Sequence, residues 1–167
     1  EMALTGQLKD QQVVEANIRL TLAAVYISIG QHEKSQHQLD KVNLLFDSIS
    51  ESEGKIDLQF DHALIQSNIN LYTNKYEEDG QFIQELLNDP RFKQKGTFKL
   101  KVQLAHSQLM LGSLEEALTT ITQAINENQQ LEESDGDLLF AQVINAMILD
   151  KMGKFEESKQ INLKVIE

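Results

Sequence analysis

Four histidines, no cysteine and an excess of carboxylates are the raw material for any chemistry in this 167-residue chain. His32 and His37 flank Glu33 and invite a zinc reading, but a helical zinc-protease motif holds its histidines four apart so that both rings share a face. Here they stand five apart, which on a helix turns the imidazoles away from each other by about 140°. Glu33 and His37 read instead as a four-residue surface pair. Asp135-Gly136-Asp137 lacks the spaced oxygen ligands and closing Glu of a calcium loop, and it stands where a helix start calls for an N-cap. Ser52-Glu53-Gly54-Lys55 is a fragment of a phosphate loop with no strand before it. Glu115-Glu116 and Glu156-Glu157 are adjacent carboxylates, which on a helix diverge by about 100° and fall in a first turn where the dipole favours anions. Acid–base work would require burial to move their pKa values, and the pattern supplies none. The absence of cysteine removes disulfides, thiolate metal sites and Cys nucleophiles, and leaves the redox compartment open. No catalytic residue, metal or cofactor is expected.

Charge narrows the partners. Fifteen Lys plus Arg against 26 Asp plus Glu leave a net charge of −11, and Arg19 and Arg91 are the only arginines, so nucleic acid is not an expected partner. The longest weakly charged stretch, Leu20 to His32, is too short to span a bilayer and contains Thr, Ser, Gly and Gln. The Glu1-Met2-Ala3 opening carries no basic region or apolar signal core and reads as the start of an excised segment. A cytoplasmic setting is the default expectation, with the periplasm open should a signal or anchor lie outside the segment.

The elements that must position these residues are helices. Eight Gly and one Pro are few breakers for this length, which argues against a turn-rich β-sandwich. Val13, Val14, Ala16, Ile18, Leu20, Ala23, Ala24 and Ile27 recur at three-and-four spacing, as do Leu104, Ala105, Leu109 and Leu111. Gly30, Gly112 and Gly153 each end such a run, where a left-handed residue without a Cβ cost stops a helix. Asn74, the non-glycine residue most tolerant of that conformation, stands in the equivalent place. Further breaks are expected near Gly54, between Pro90 and Gly96, and near Gly136, giving eight helices.

The stops Gly30, Asn74, Gly112 and Gly153 lie 44, 38 and 41 residues apart, and each opens a variant of one phrase: Gly-Gln-His-Glu, Asn-Lys-Tyr-Glu, Gly-Ser-Leu-Glu and Gly-Lys-Phe-Glu. A period of this length is the mark of a solenoid. Seven residues before each stop stand Ala23, Ser67, Ala105 and Ala146, and five after it Ser35, Asp79, Ala117 and Ser158. Small residues there let antiparallel helices approach closely. On these residues, and most specifically from Leu104-Ala105 through Leu111-Gly112-Ser113-Leu114-Glu115-Glu116-Ala117 to Ala124, the chain resembles the tetratricopeptide repeat (TPR) family in its long-repeat bacterial form. Arg19, Ala63, Lys101 and Gln142 replace the family's early tryptophan, and the repeats exceed its usual length. The expected fold is all-α, a single domain over 1–167 forming a right-handed superhelical solenoid of about four antiparallel hairpins, with repeats near 11–51, 55–89, 95–130 and 135–167. Gly80, inside the second repeat's second helix, is a weak point costing about 1 kcal/mol relative to Ala.

The resemblance implies a concave groove lined by the first helix of each repeat: Asn17, Leu20, Ala24 and Ile27; Asp61, Leu64, Asn68 and Leu71; Lys99, Val102, His106 and Leu109; Phe140, Val143 and Met147. Such a groove suits an extended or helical peptide, amides bonding its backbone and pockets taking its side chains. The alternative is that many of these residues pack inside a tightly wound superhelix. His106, a lone histidine among apolar neighbours, reads either as a structural side chain or as a titrating ligand contact. The expected function is a non-catalytic module that binds a protein or peptide of neutral or basic character, within a larger regulator. The resemblance also admits a signal-input domain attached to a diguanylate cyclase, a histidine kinase or a transcriptional regulator, or a homodimerisation domain. The chaperone-binding clamp of some relatives is not expected, because Leu20 and Ala24 stand where it needs Lys and Asn. The apolar last helix, with Leu163 and Ile166, is expected to pair with a second copy or a flanking segment.

Overall fold

The computed structural model describes the backbone of residues 2–51, 53–93, 97–128 and 135–166, with the side chains of 11–51, 54–93, 97–127 and 136–163. Among the described residues there are eight α-helices and no strand: α1 (Met2–Ser28), α2 (His32–Phe46), α3 (Glu53–Tyr72), α4 (Tyr76–Asn88), α5 (Phe98–Leu111), α6 (Leu114–Asn128), α7 (Asp135–Lys151) and α8 (Phe155–Ile166). The all-helical expectation holds.

The four stops have the backbone that their residue types foretell. Gly30, Asn74, Gly112 and Gly153 adopt φ of +73°, +61°, +82° and +77°. At Gly112 the chain closes with the paired bonds of a Schellman turn, Gly112 N–H donating to the Leu109 carbonyl at 3.1 Å and Ser113 N–H to Gln108 at 2.9 Å. The same pair recurs at Gly30–Gln31 and Gly153–Lys154. The next helix follows within two or three residues, and α2, α4, α6 and α8 each open with carboxylates in the first turn, against the positive end of the dipole. Two boundaries differ from expectation. Gly54 and Gly136 lie inside the first turns of α3 and α7 rather than in the breaks before them. The first four N–H groups of a helix have no intrahelical partner, so glycine there weakens no completed ladder. Capping by Ser134 and Asp135 lies outside the described side chains.

The chain forms two compact units, Glu1–Asn74 and Lys75–Glu167. In the first, α1 packs on α2, and both meet α3. Its core joins Ala16, Leu20 and Ala23 of α1 to Leu39 and Val42 of α2, Ile49, and Leu58 and Ile69 of α3. Ala23 and Ser35 are both fully buried at the α1–α2 crossing, and the Ser35 hydroxyl donates to the Ala23 carbonyl at 2.9 Å. A reciprocal amide pair, Gln36 with Gln66 at 3.0 and 3.1 Å, ties α2 to α3.

In the second unit α5 lies against both α4 and α6, α6 against α7, and α7 against α8. Phe98, Val102, Ala105 and Leu109 of α5 meet Ala117, Ile121 and Ala124 of α6 and Ala141, Ile144 and Ile148 of α7. Ala105 and Ala117 expose nothing to solvent. Ala146 and Ser158, their counterparts in α7 and α8, are buried as well. The opposite side of α5 turns to α4: Ser107 donates to the Asp79 carboxylate at 2.6 Å, and both side chains are wholly buried. Gly80, next along α4, faces Leu104.

Candidate functional site

The fifteen expected groove residues divide between core and surface, with Ala24 exposed on α1. Leu20, Leu71, Val102 and Leu109 are interior, and Ile27 packs against the first unit's core. Asn17 is exposed, but its amide donates to the Val13 carbonyl of its own helix at 3.0 Å. Asp61 is exposed, and Leu64 and Asn68 are half-buried on α3. Val102 and Leu109 go inward for a reason of helix phase: they share one stripe of α5 with Phe98 and Ala105, all within about 60° of arc.

The residues brought together on an open surface belong to the second unit. Phe140, Val143 and Met147 fall within about 60° of arc on α7 and are 44%, 37% and 41% exposed. This face lies about a quarter-turn from the Ala141, Ile144 and Ile148 stripe that enters the core. Across from it on α5, His106 meets Phe140 edge-on at a ring-centre distance of 6.3 Å and an interplanar angle of 70°. At one end the Lys99 ammonium and the Asp137 carboxylate pair at 3.0 Å. The expected residues Lys99, His106, Phe140, Val143 and Met147 thus form one strip along α5 and α7.

His106 gives the strip its polar feature. Nδ1 is buried with no hydrogen-bond partner among the described residues, and burial lowers the pKa from the ordinary imidazole value, so the ring is neutral at pH 7. A neutral imidazole carries one donor and one acceptor, which suits it to bond a peptide group without the cost of burying a charge. Two features escaped the sequence reading. Met110, 45% exposed and one turn beyond His106, continues the apolar surface. Asp137, read as part of a capping phrase, is instead the partner of Lys99, 38 residues upstream; no local spacing carries that pairing.

The other chemical candidates resolve into structure. His32 stacks on Tyr72 at 5.2 Å while His37 is exposed. His62 sits edge-on to Phe46, and burial, opposed by its bond to the Leu39 backbone and the charge of Asp40, lowers its pKa. Lys55 of the phosphate-loop fragment is buried and pairs with Glu51 at 2.6 Å. Glu115, Glu116, Glu156 and Glu157 are exposed. Among the described residues no three His, Asp or Glu side chains gather as metal ligands, and no helix is long and apolar enough to cross a membrane. Comparison with protein-family models, curated proteins and solved structures finds no match.

Proposed function

We propose that the chain is a non-catalytic, TPR-like helical-repeat module that binds a protein or peptide, and that the α5–α7 strip is its contact surface. The four left-handed stops at near-regular spacing and the buried small residues support the repeat reading. The observation that carries the function is the exposed trio Phe140, Val143 and Met147 beside a neutral, incompletely bonded His106. Methionine and phenylalanine on an open surface adapt to a ligand's side chains, and a polar group at their edge fixes its register. The Lys99–Asp137 pair closes one end with opposite charges adjacent, so a ligand there meets a dipole rather than a net charge. The overall −11 steers neutral or basic segments toward the chain more than it strengthens the final complex.

Selection from a displayed random-peptide library, followed by titration of a synthetic hit, tests this. Phe140→Ala and Met147→Ala should each weaken binding about tenfold or more, the size expected of a central apolar anchor. His106→Phe, which keeps the ring and removes the polar atoms, should weaken it less. Equal affinity for parent and all three variants would place binding elsewhere and overturn the assignment.

A further inference from the structure

Helix α1 carries a second apolar stripe that none of the described residues of its own unit covers. Val14, Ile18, Leu22, Val25 and Ile29 are 56%, 56%, 41%, 50% and 62% exposed. Their spacing of four, four, three and four residues places all five within about 80° of arc, on a straight line about 22 Å long. Ile29, just past the helix end, stays in line because its N–H still donates to the Val25 carbonyl. The core residues Ala16, Leu20, Ala23 and Ile27 occupy the opposite side of the same helix, so the stripe is separate from the unit's interior. Val14, Ile18 and Leu22 also line a shallow depression of about 540 Å³ with Glu15 and Arg19 at its rim.

We infer that this stripe is an isologous interface on which a second copy of the chain lays its own α1. Charge and area both favour that occupant. The chain is strongly acidic, so most of its surface repels a second copy, yet no Asp, Glu, Lys or Arg occurs between Arg19 and Glu33. Arg19 is itself held in place, its Nε donating to Glu15 at 2.9 Å and its Nη1 to Gln38 at 3.0 Å. Beyond Arg19 two copies therefore meet along α1 with no charges opposed, and at the other end the paired Glu15 and Arg19 present both signs rather than a net charge. Five half-exposed aliphatic side chains offer on the order of 400 to 450 Å² of apolar surface per copy, close to the apolar share of one side of a standard-sized interface. A contiguous patch of that size falls in the range of a monomer's largest apolar patch, which is often functional. A straight aliphatic ridge is also self-complementary, as a two-fold interface requires. The strip on α5 and α7 takes no part, so a peptide-binding failure and a pairing failure are independent results.

Sedimentation equilibrium of the 167-residue chain, across concentrations from about 1 to 100 μM, is the test. The parent should sediment as a dimer in the upper part of that range. Ile18→Glu and Val25→Glu, both at exposed positions, should weaken association at least a hundredfold with the helical circular dichroism unchanged, whereas Leu163→Glu at the far end of the chain should not. Cross-linking gives a second readout that needs no destabilising change. The native chain has no cysteine, so Leu22→Cys introduces a single thiol at the middle of the stripe, near the two-fold axis whether the helices run parallel or antiparallel. Mild oxidation should yield a covalent dimer from Leu22→Cys and none from Leu44→Cys, a control on α2 that is still more exposed. A monomeric parent at 100 μM, or a dimer that survives Ile18→Glu and is broken by Leu163→Glu, overturns the inference.

Discussion

Gly80→Ala should stabilise the second unit, although glycine at this place in the sequence looks like a defect that the fold tolerates for a reason. Gly80 lies in the interior of α4 without a positive φ, so it uses no backbone freedom that alanine lacks. A Cβ built there meets only the Leu104 side chain at 4.0 Å, ordinary van der Waals contact. Alanine gains about 0.8 to 1 kcal/mol of helix propensity, chiefly by restricting the unfolded chain, and nothing in the surroundings opposes it. The expected net gain is about 0.5 to 1 kcal/mol. For a unit of this size that raises the midpoint of thermal unfolding by roughly 3 to 6 °C. Differential scanning calorimetry or circular dichroism melting reads the shift directly. Should the two units unfold in separate transitions, only the one assigned to Lys75–Glu167 should move. A lower midpoint would mean that α4 is not packed against Leu104 as described, and the placement of α4 on α5 would then be wrong.

Two other expectations rest on the same packing. Ala105→Arg puts a charged side chain at the wholly buried crossing of α5 and α6, where Ala117 and Ile121 leave it no partner, and should cost about 3 to 5 kcal/mol, visible as loss of cooperative melting in the second unit. Stability should also depend on pH. Burial lowers the folded-state pKa of both His62 and His106, so the unfolded chain binds protons first, and stability is full above about 6.5 and declines as pH falls toward the folded values. Urea titrations from pH 7.5 to 5 should show that decline, and His106→Leu should flatten part of it; an unchanged slope would mean that His106 is not desolvated in the folded chain.

The stops and the tight crossings were legible because each has a steric cause that only a few residue types satisfy. A backbone at φ near +70° favours Gly and then Asn, so Gly30, Asn74, Gly112 and Gly153 could be found by eye. Helices that touch at Ala23 and Ser35, or at Ala105 and Ala117, leave no room for more than a methyl or hydroxyl, and the register located those positions. Asp79 shows the limit of that rule: it fills a small-residue position with a carboxylate, made tolerable by the hydroxyl of Ser107 on the next helix, which the sequence places 28 residues away.

What sequence could not divide is the apolar set of a helix that carries two apolar stripes. Val13, Val14, Ala16, Ile18, Leu20, Ala23 and Ile27 satisfy one three-and-four spacing, yet the structure turns Val13, Ala16, Leu20, Ala23 and Ile27 inward and leaves Val14 and Ile18 in solvent. The same ambiguity put Val102 and Leu109 in a groove when they belong to the core with Ala105. A helix in a closed globule needs one apolar stripe; a second adds no folding energy and lowers solubility unless something covers it. The chemistry of the second stripe then separates its occupants. On α1 it is straight, aliphatic and without charge, a surface that another α1 matches. On α7 it is Phe140, Val143 and Met147 beside an imidazole and an ion pair, with both polar and adaptable groups, a surface suited to a peptide of different sequence. Substituting one stripe should therefore leave the other's binding intact, and a Val25→Glu chain that still binds a selected peptide at parental affinity would show the two surfaces to be independent.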